Sequence, residues 1–285
     1  IQTAYLHGGI DAPLAGGQRR FDGGSVEAFA ARLEALAARL DAAREHLAVA
    51  AHSIRAITPE ELAALHELAV RIDVPLHMHL EEQPAELEAC RARYGAGPLA
   101  VVLGAIPVDR RFTAVHATHS VPADLERLCG AGGGICLCPL TEANLGDGLA
   151  DVPAMAAANA VISLGTDSNA RISMLEEMRW TELGQRLRTG ERGVLRSPDG
   201  RIAPCLLRSA TEEGALALGL DAGRLRPGAH ADLLLVDLEH PALAGTAAGH
   251  LDAALTLGAG ADVLVATAGA GRSRPPRGRE ADAGG

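Results

Sequence analysis

Short apolar runs of β-forming character alternate with amphipathic stretches through most of the chain, and this alternation constrains the fold more than any other feature. The runs are Leu47 to Ala51, Val74 to Leu80, Phe112 to Ala117, Gly134 to Cys138 and Val161 to Leu164, with Thr3 to Leu6 as a leading sixth. Helical periodicity fills the intervals: Ser25 to Glu45, Thr58 to Arg71, Glu86 to Arg93, Pro122 to Gly130 and Ser173 to Arg188. Repeated βα units of this kind build a parallel sheet, either doubly wound or rolled into a barrel. Thr58, Pro59 and Glu61 supply an N-cap, a first-turn proline and a capping-box acid, which fixes where the second helix starts.

The placement of polar residues favours the barrel. His52 follows one strand, His77 and His79 lie on the next, His116 ends the third and Asp167 follows the fifth. A barrel gathers those strand ends at one mouth. One histidine there is readily a core residue with a satisfied ring, whereas four strand ends carrying such groups point to a shared metal site. In Pro75 to Gln83 (PLHMHLEEQ), His79 can offer an imidazole to zinc, and Glu82, three residues on, can hang over the same ion as a proton carrier. His77 shares the face of His79 and reads as second to it or as structural. Asp167, in Gly165-Thr166-Asp167-Ser168-Asn169, can bind a metal and accept a proton from its water, or simply cap a turn. Arg55, in His52-Ser53-Ile54-Arg55, can pair with a substrate carboxylate or sit in a surface salt bridge. Thr141 to Gly148 (TEANLGDG) reads as a polar loop in a substrate-binding position.

Composition excludes several classes. With 285 residues, 48% of them hydrophobic, the chain can bury a large core, and a net charge of −10 argues against nucleic-acid or anionic-membrane partners. All 26 basic residues are arginine, so phosphate-binding, Schiff-base and carbamylated lysines are ruled out together. Five irregularly spaced cysteines make no disulfide scaffold, and Cys136 and Cys138 share one strand face, where packing is the simpler role. With no membrane-length apolar stretch and no signal sequence, a soluble cytoplasmic setting is expected. Leu206 to Leu218 reads as one helix, Leu233 to Val236 as part of an outer β element, and the chain from Gly269 as a disordered tail.

With these residues assembled, the chain resembles the amidohydrolase superfamily over roughly residues 1–240, and within it the branch of formimidoylglutamate deiminases. The most specific stretches are Gly17 to Phe21 (GQRRF), HSIR at His52, His77 to Gln83, Val115 to His119 (VHATH), Thr141 to Gly148, and Glu176 to Arg188. The resemblance implies an α/β fold, a (β/α)8 TIM-like metal-dependent hydrolase barrel with a small β domain. It implies one Zn2+, with His79 and Asp167 as ligands, Glu82, His116 and Asp167 as catalytic residues, and His52, Arg55, Glu142 and Asn144 contacting substrate. The absence of lysine independently fits a mononuclear site. The implied reaction is hydrolysis of N-formimino-L-glutamate, a small dicarboxylate, to N-formyl-L-glutamate and ammonia in histidine degradation; a homodimer is implied as well.

The pattern departs from that family at the start. Its first strand carries a His-x-His pair of zinc ligands, but the only His-x-His here is His77-Met78-His79, on a later strand. The six strands match the family's third to eighth, so residues 1–219 are expected to form a barrel lacking its first two strands. Residues 220–285 are then expected to hold the C-terminal part of the small β domain and the tail. The opening on Ile1, with the first methionine at Met78, fits a start inside a longer sequence, and zinc affinity is expected to be weakened. Two other readings stay open: deamination of a ring such as guanine, and an inactive fragment. One Trp, two Tyr and three Phe, together with Arg55, favour an acyclic carboxylate over a flat base that wants a stacking partner.

Overall fold

Alternation along each strand sorts the side chains into two sets, and the main layer follows from that sorting. The computed structural model describes residues 1–41, 45–168, 171–269 and 271–274. In it β1 (Gln2–Ala4), β2 (Val49–Ser53), β3 (Leu76–Leu80), β4 (Phe112–His116), β5 (Gly134–Leu137) and β6 (Ile162–Leu164) lie side by side in sequence order. Every neighbouring pair is parallel. Between them run α1 (Val26–Ala37), α2 (Pro59–Arg71), α3 (Pro84–Tyr94), α4 (Pro98–Ala105), α5 (Pro122–Gly130), α6 (Pro139–Leu145) and α7 (Val152–Ala157). Then follow α8 (Met174–Thr189), α9 (Ala203–Ala210) and α10 (Glu212–Ala217).

One face of the sheet (Val49, Ala51, Leu76, Met78, Leu80, Phe112, Ala114, Ile135, Leu137, Ile162, Leu164) packs into a single core with Leu62, Leu65, Leu99, Val102, Leu125 and Leu128 of the helices. Burying one such leucine contributes about 1.5–3 kcal/mol, so the helical layer is held on mainly by this face. The opposite face carries His77, His79, Thr113, Cys136 and Ser163, and is therefore the polar interior of the barrel wall. His77 Nε2 meets the Ala217 carbonyl oxygen at 2.8 Å, so this histidine fastens the end of α10 to the wall and takes no part in the strand-end cluster. At six strands the sheet does not close: β1 and β6 form its two edges.

The capping box of α2 is formed as its sequence requires: Thr58 Oγ1 accepts from Glu61 N at 3.2 Å, and Glu61 Oε2 from Thr58 N at 2.8 Å. Other expectations are corrected. The first helix ends at Ala37, short of Glu45, and residues 42–44 lie outside the described set. The stretch 206–218 is two helices broken at Thr211 (φ −125°, ψ −82°). A loop crowds that break: a Cβ at Gly223 would lie 2.4 Å from the Thr211 carbonyl oxygen, so only glycine fits there. TEANLGDG is not a free loop, since Pro139 starts α6 and Gly146, at φ 76°, ends it.

Beyond residue 220, β7 (Leu233–Val236), β8 (Leu264–Gly269) and β9 (Arg272–Arg274) form an antiparallel sheet in that order. The β9 strand corrects the reading of a structureless tail from Gly269; residues 270 and 275–285 lie outside the described set. The helix α11 (Leu251–Leu257) interrupts the β element and packs on α8 and α9, pinned by Arg179, which donates to the carbonyls of Leu257 and Ala259. Among the described residues no helix is long and apolar enough to cross a membrane.

Candidate active site

Strand ends deliver the chemistry, and the backbone there is bent to do it. Glu81, His116 and Asp167, just after or at the ends of β3, β4 and β6, have φ of 55°, 71° and 43°. Non-glycine residues rarely adopt this region, and such strain collects where side chains must be aimed. Glu81 is turned inward, accepting from Ser120 Oγ at 2.5 Å and Leu99 N at 3.2 Å, which ties the turn after β3 to α4 and to the loop after β4.

His79 donates its Nδ1 proton to the His52 carbonyl at 2.6 Å, leaving Nε2 to face Asp167 Oδ1 at 3.9 Å. His116 is buried, with Nδ1 3.3 Å from Glu142 Oε1. Its Nε2 has no hydrogen-bond partner among the described residues, and lies 3.8 Å from Glu82 Oε1 and 3.7 Å from Asp167 Oδ2. One ligand atom each from Glu82, His116 and Asp167 can be chosen so that all lie within 4.8 Å of one another. Two carboxylates, Glu82 and Asp167, thus face the Nε2 edge of His116, with His79 Nε2 beside Asp167, an arrangement that calls for a cation at its centre. The outward-facing His79 Nε2 and Asp167 give that cation a nitrogen and an oxygen donor, and the orphaned His116 Nε2 faces the same point, so the donor set fits zinc.

The electrostatics follow from these distances. Burial opposes charging of His116, but the hydrogen bond to Glu142 and the nearby Glu82 and Asp167 outweigh it and raise the pKa. Burial, with His116 beside it, lowers that of His79 against the pull of the His52 carbonyl and the carboxylates. His52 is pushed down to about 4, first by burial and then by His79 and Arg55, so it is neutral at physiological pH. Its ring meets Tyr5 edge-on at 4.6 Å and lies 5.1 Å from the His79 ring. Arg55 Nη2 lies 3.5 Å from Glu82 Oε2, which places a guanidinium beside the cluster.

Glu86 supports Glu82 from behind: its Oε2 accepts from Glu82 N at 3.2 Å. Burial pushes the Glu86 carboxyl up to about 7, with Arg55 acting against the shift. The folded state must therefore carry a buried charge above that pH, whereas below the ordinary value of 4.5 both folded and unfolded forms are protonated; stability falls as pH rises between the two. Glu86→Gln is expected to be more stable than the parent at pH 8, by about 2–3 kcal/mol, and to lose that advantage by pH 4.5. Thermal melts at both pH values check this; an equal gap at both would contradict it.

Six of the eight sequence-derived candidates, His52, Arg55, His79, Glu82, His116 and Asp167, adjoin one another. Glu142 joins them as a partner of His116, its Oε1 also held by Cys138 N at 3.0 Å. Asn144 is exposed on α6 and stands two residues from Glu142, a spacing that faces away on a helix, so it is not brought into the cluster. Sequence reasoning missed Asp147, Thr118 and His119, whose Oδ2, Oγ1 and Nε2 are buried without partners among the described residues. A Cβ at Gly148 would lie 3.5 Å from both Thr118 Cγ2 and His119 Cε1, so this group lines the mouth where the α6 segment meets the loop after β4. The signal was the GDG at the end of that segment, where two glycines of positive φ, 76° and 116°, flank the buried aspartate.

The helix α8 motif is scaffold. Glu177 accepts from Leu140 N, Glu182 from Val194 N and Leu195 N, and Gln185 donates to the Ala150 carbonyl, so buried polar groups fasten the loops around the mouth.

The amidohydrolase family model matches residues 9–268. The chain belongs to the amidohydrolase family. A formimidoylglutamate deiminase from Pseudomonas aeruginosa is 40% identical over 246 residues, 86% of this chain and 54% of that protein. An 8-oxoguanine deaminase from the same organism is 36% identical over 209 residues, 72% of this chain and 45% of that protein. Among solved structures, an amidohydrolase from Brucella melitensis superposes with a TM-score of 0.85 at 33% identity, over 96% of this chain and 60% of that one. An adenosine deaminase from Xanthomonas campestris with bound zinc gives 0.77 at 26%, over 87% and 56%. The chain spans about half the length of the curated relatives it matches. The six-stranded parallel sheet is thus part of an amidohydrolase barrel.

Proposed function

We propose that this amidohydrolase chain carries the larger part of a zinc-dependent centre that hydrolyses N-formimino-L-glutamate to N-formyl-L-glutamate and ammonia. The observation that carries the reading is Arg55 Nη2 at 3.5 Å from Glu82 Oε2: a cation for a substrate carboxylate stands directly beside the acid/base candidate. The likeness to a formimidoylglutamate deiminase supports the same substrate. His79 and Asp167 would hold the metal, with His116 Nε2 and Glu82 facing it. When bound, zinc supplies Lewis acidity and brings the pKa of water towards about 7.

The chain's own residues handle the protons. Asp167 Oδ2 and His116 Nε2, 3.7 Å apart, take up the proton of the attacking water. Glu82 delivers a proton to the nitrogen that leaves as ammonia. His52, neutral, keeps a hydrogen-bonding edge beside Arg55 without competing for its anion. The acidic side of the mouth, Glu82 and Asp147, suits the cationic amidine end, while Arg55 orients the carboxylate end.

Substitution of Arg55 separates this substrate class from simpler amidines. Arg55→Gln is expected to raise KM for N-formimino-L-glutamate about 10- to 100-fold while changing that for formamidine, which has no carboxylate, far less. Equal losses on both compounds would contradict the assignment. A second reading, deamination of a flat heterocycle, is favoured by the likeness to an 8-oxoguanine deaminase. Against it, among the described residues the aromatic at the cluster, Tyr5, meets His52 edge-on and presents no stacking face there.

A further inference from the structure

Cys136 and Cys138 have no task in the reaction above, yet their geometry is specific. Both sulfurs close on one point of the neighbouring segment: a Cβ built at Gly165 would lie 3.2 Å from Cys136 Sγ and 3.3 Å from Cys138 Sγ. The two thiols act on each other's acidity, and Ser163 acts on that of Cys136. Cys136 is part-exposed on the polar face of the wall, whereas Cys138 is buried. The other cysteines, Cys90, Cys129 and Cys205, lie on three different helices, α3, α5 and α9.

Two thiols fixed side by side bind a two-coordinate thiophile as a chelate, because the second bond forms at high effective concentration. Soft sulfur ligands select soft acceptors. The Cys138 thiol is held protonated, its Cys136 neighbour and burial both pushing its pKa up, so an acceptor that reacts with thiols and carries their protons away as water suits the site. We propose that Cys136 and Cys138 form a chelating dithiol site for trivalent arsenicals. In the reaction an arylarsonous acid, Ar-As(OH)2, loses both hydroxyls as two As–S bonds form, the thiol protons leave in two molecules of water, and no atom changes oxidation state.

The site is wired to the strand ends. Cys138 N holds Glu142 Oε1, and Gly165 stands two residues before Asp167, so an occupied dithiol presses on both segments. The test is independent of the hydrolytic reading. Phenylarsine oxide is titrated onto the reduced full chain and the product followed by intact mass spectrometry. The expected result is one adduct per chain that survives excess 2-mercaptoethanol and is released by 2,3-dimercaptopropanol. It should vanish in Cys136→Ser and in Cys138→Ser and persist when Cys90, Cys129 and Cys205 are all replaced by serine. Should a serine variant fail to fold, Gly165→Ala puts a Cβ between the sulfurs and is expected to weaken the adduct at least about 10-fold, while all five thiols still titrate in denaturant. An adduct lost to the monothiol, an adduct retained in Cys136→Ser, or the same affinity in Gly165→Ala would overturn the proposal.

Discussion

Asp167→Ala is expected to strip zinc from the protein. Asp167 reaches both imidazoles, with Oδ1 3.9 Å from His79 Nε2 and Oδ2 3.7 Å from His116 Nε2. Without it the two nitrogens keep Glu82 as their nearest anion, and a tetrahedral site loses an oxygen donor that no neighbour replaces. Zinc affinity should fall by at least about 100-fold, read as metal per chain after dialysis against a competing chelator. The strained φ of 43° at Asp167 should also relax in the variant, because alanine gains nothing from the aim that the aspartate requires. Unchanged zinc retention would place the metal elsewhere.

Glu82→Gln is expected to lower kcat on the order of 100-fold or more with zinc content unchanged. Glutamine keeps the shape and can still hydrogen-bond Arg55, but it cannot shuttle a proton to the leaving nitrogen. Glu82 Oε1 stands 3.8 Å from His116 Nε2, so the alternative role, direct metal ligation, makes a different prediction: zinc would be lost along with turnover. Metal analysis of the same preparation distinguishes the two, and retained turnover would remove Glu82 from the mechanism.

Why the sequence revealed some of this and not the rest is a matter of range. Strands β2 to β6 were legible because each is a short apolar run bounded by turn residues, and the α2 start was legible because Thr58, Pro59 and Glu61 interact within one turn. His79, His116 and Asp167 were legible because parallel βα order alone brings strand ends together. The partners that define their roles are not local. Glu142 was read as facing substrate since nothing near it in sequence shows that His116, 26 residues away, would claim it. Asn144 was paired with it because Thr141 to Gly148 was read as a polar loop, whereas the helix over Pro139–Leu145 turns the two apart and leaves Asn144 exposed. Asp147, Thr118 and His119 escaped notice because each is unremarkable alone and gains meaning only when Gly148 lets their segments touch. His77 looked like a companion of His79, but its partner, the Ala217 carbonyl, is 140 residues away.

The central claim, a hydrolytic centre for a linear amidine bearing carboxylates, is tested most directly by ammonia release from the zinc-loaded chain on N-formimino-L-glutamate and on 8-oxoguanine side by side. The account predicts release from N-formimino-L-glutamate with a kcat/KM at least about 100-fold above that for the heterocycle, the discrimination expected when the half-buried Arg55 meets a substrate carboxylate. Preference for 8-oxoguanine, or no ammonia from either compound with a folded chain that holds zinc, would contradict it.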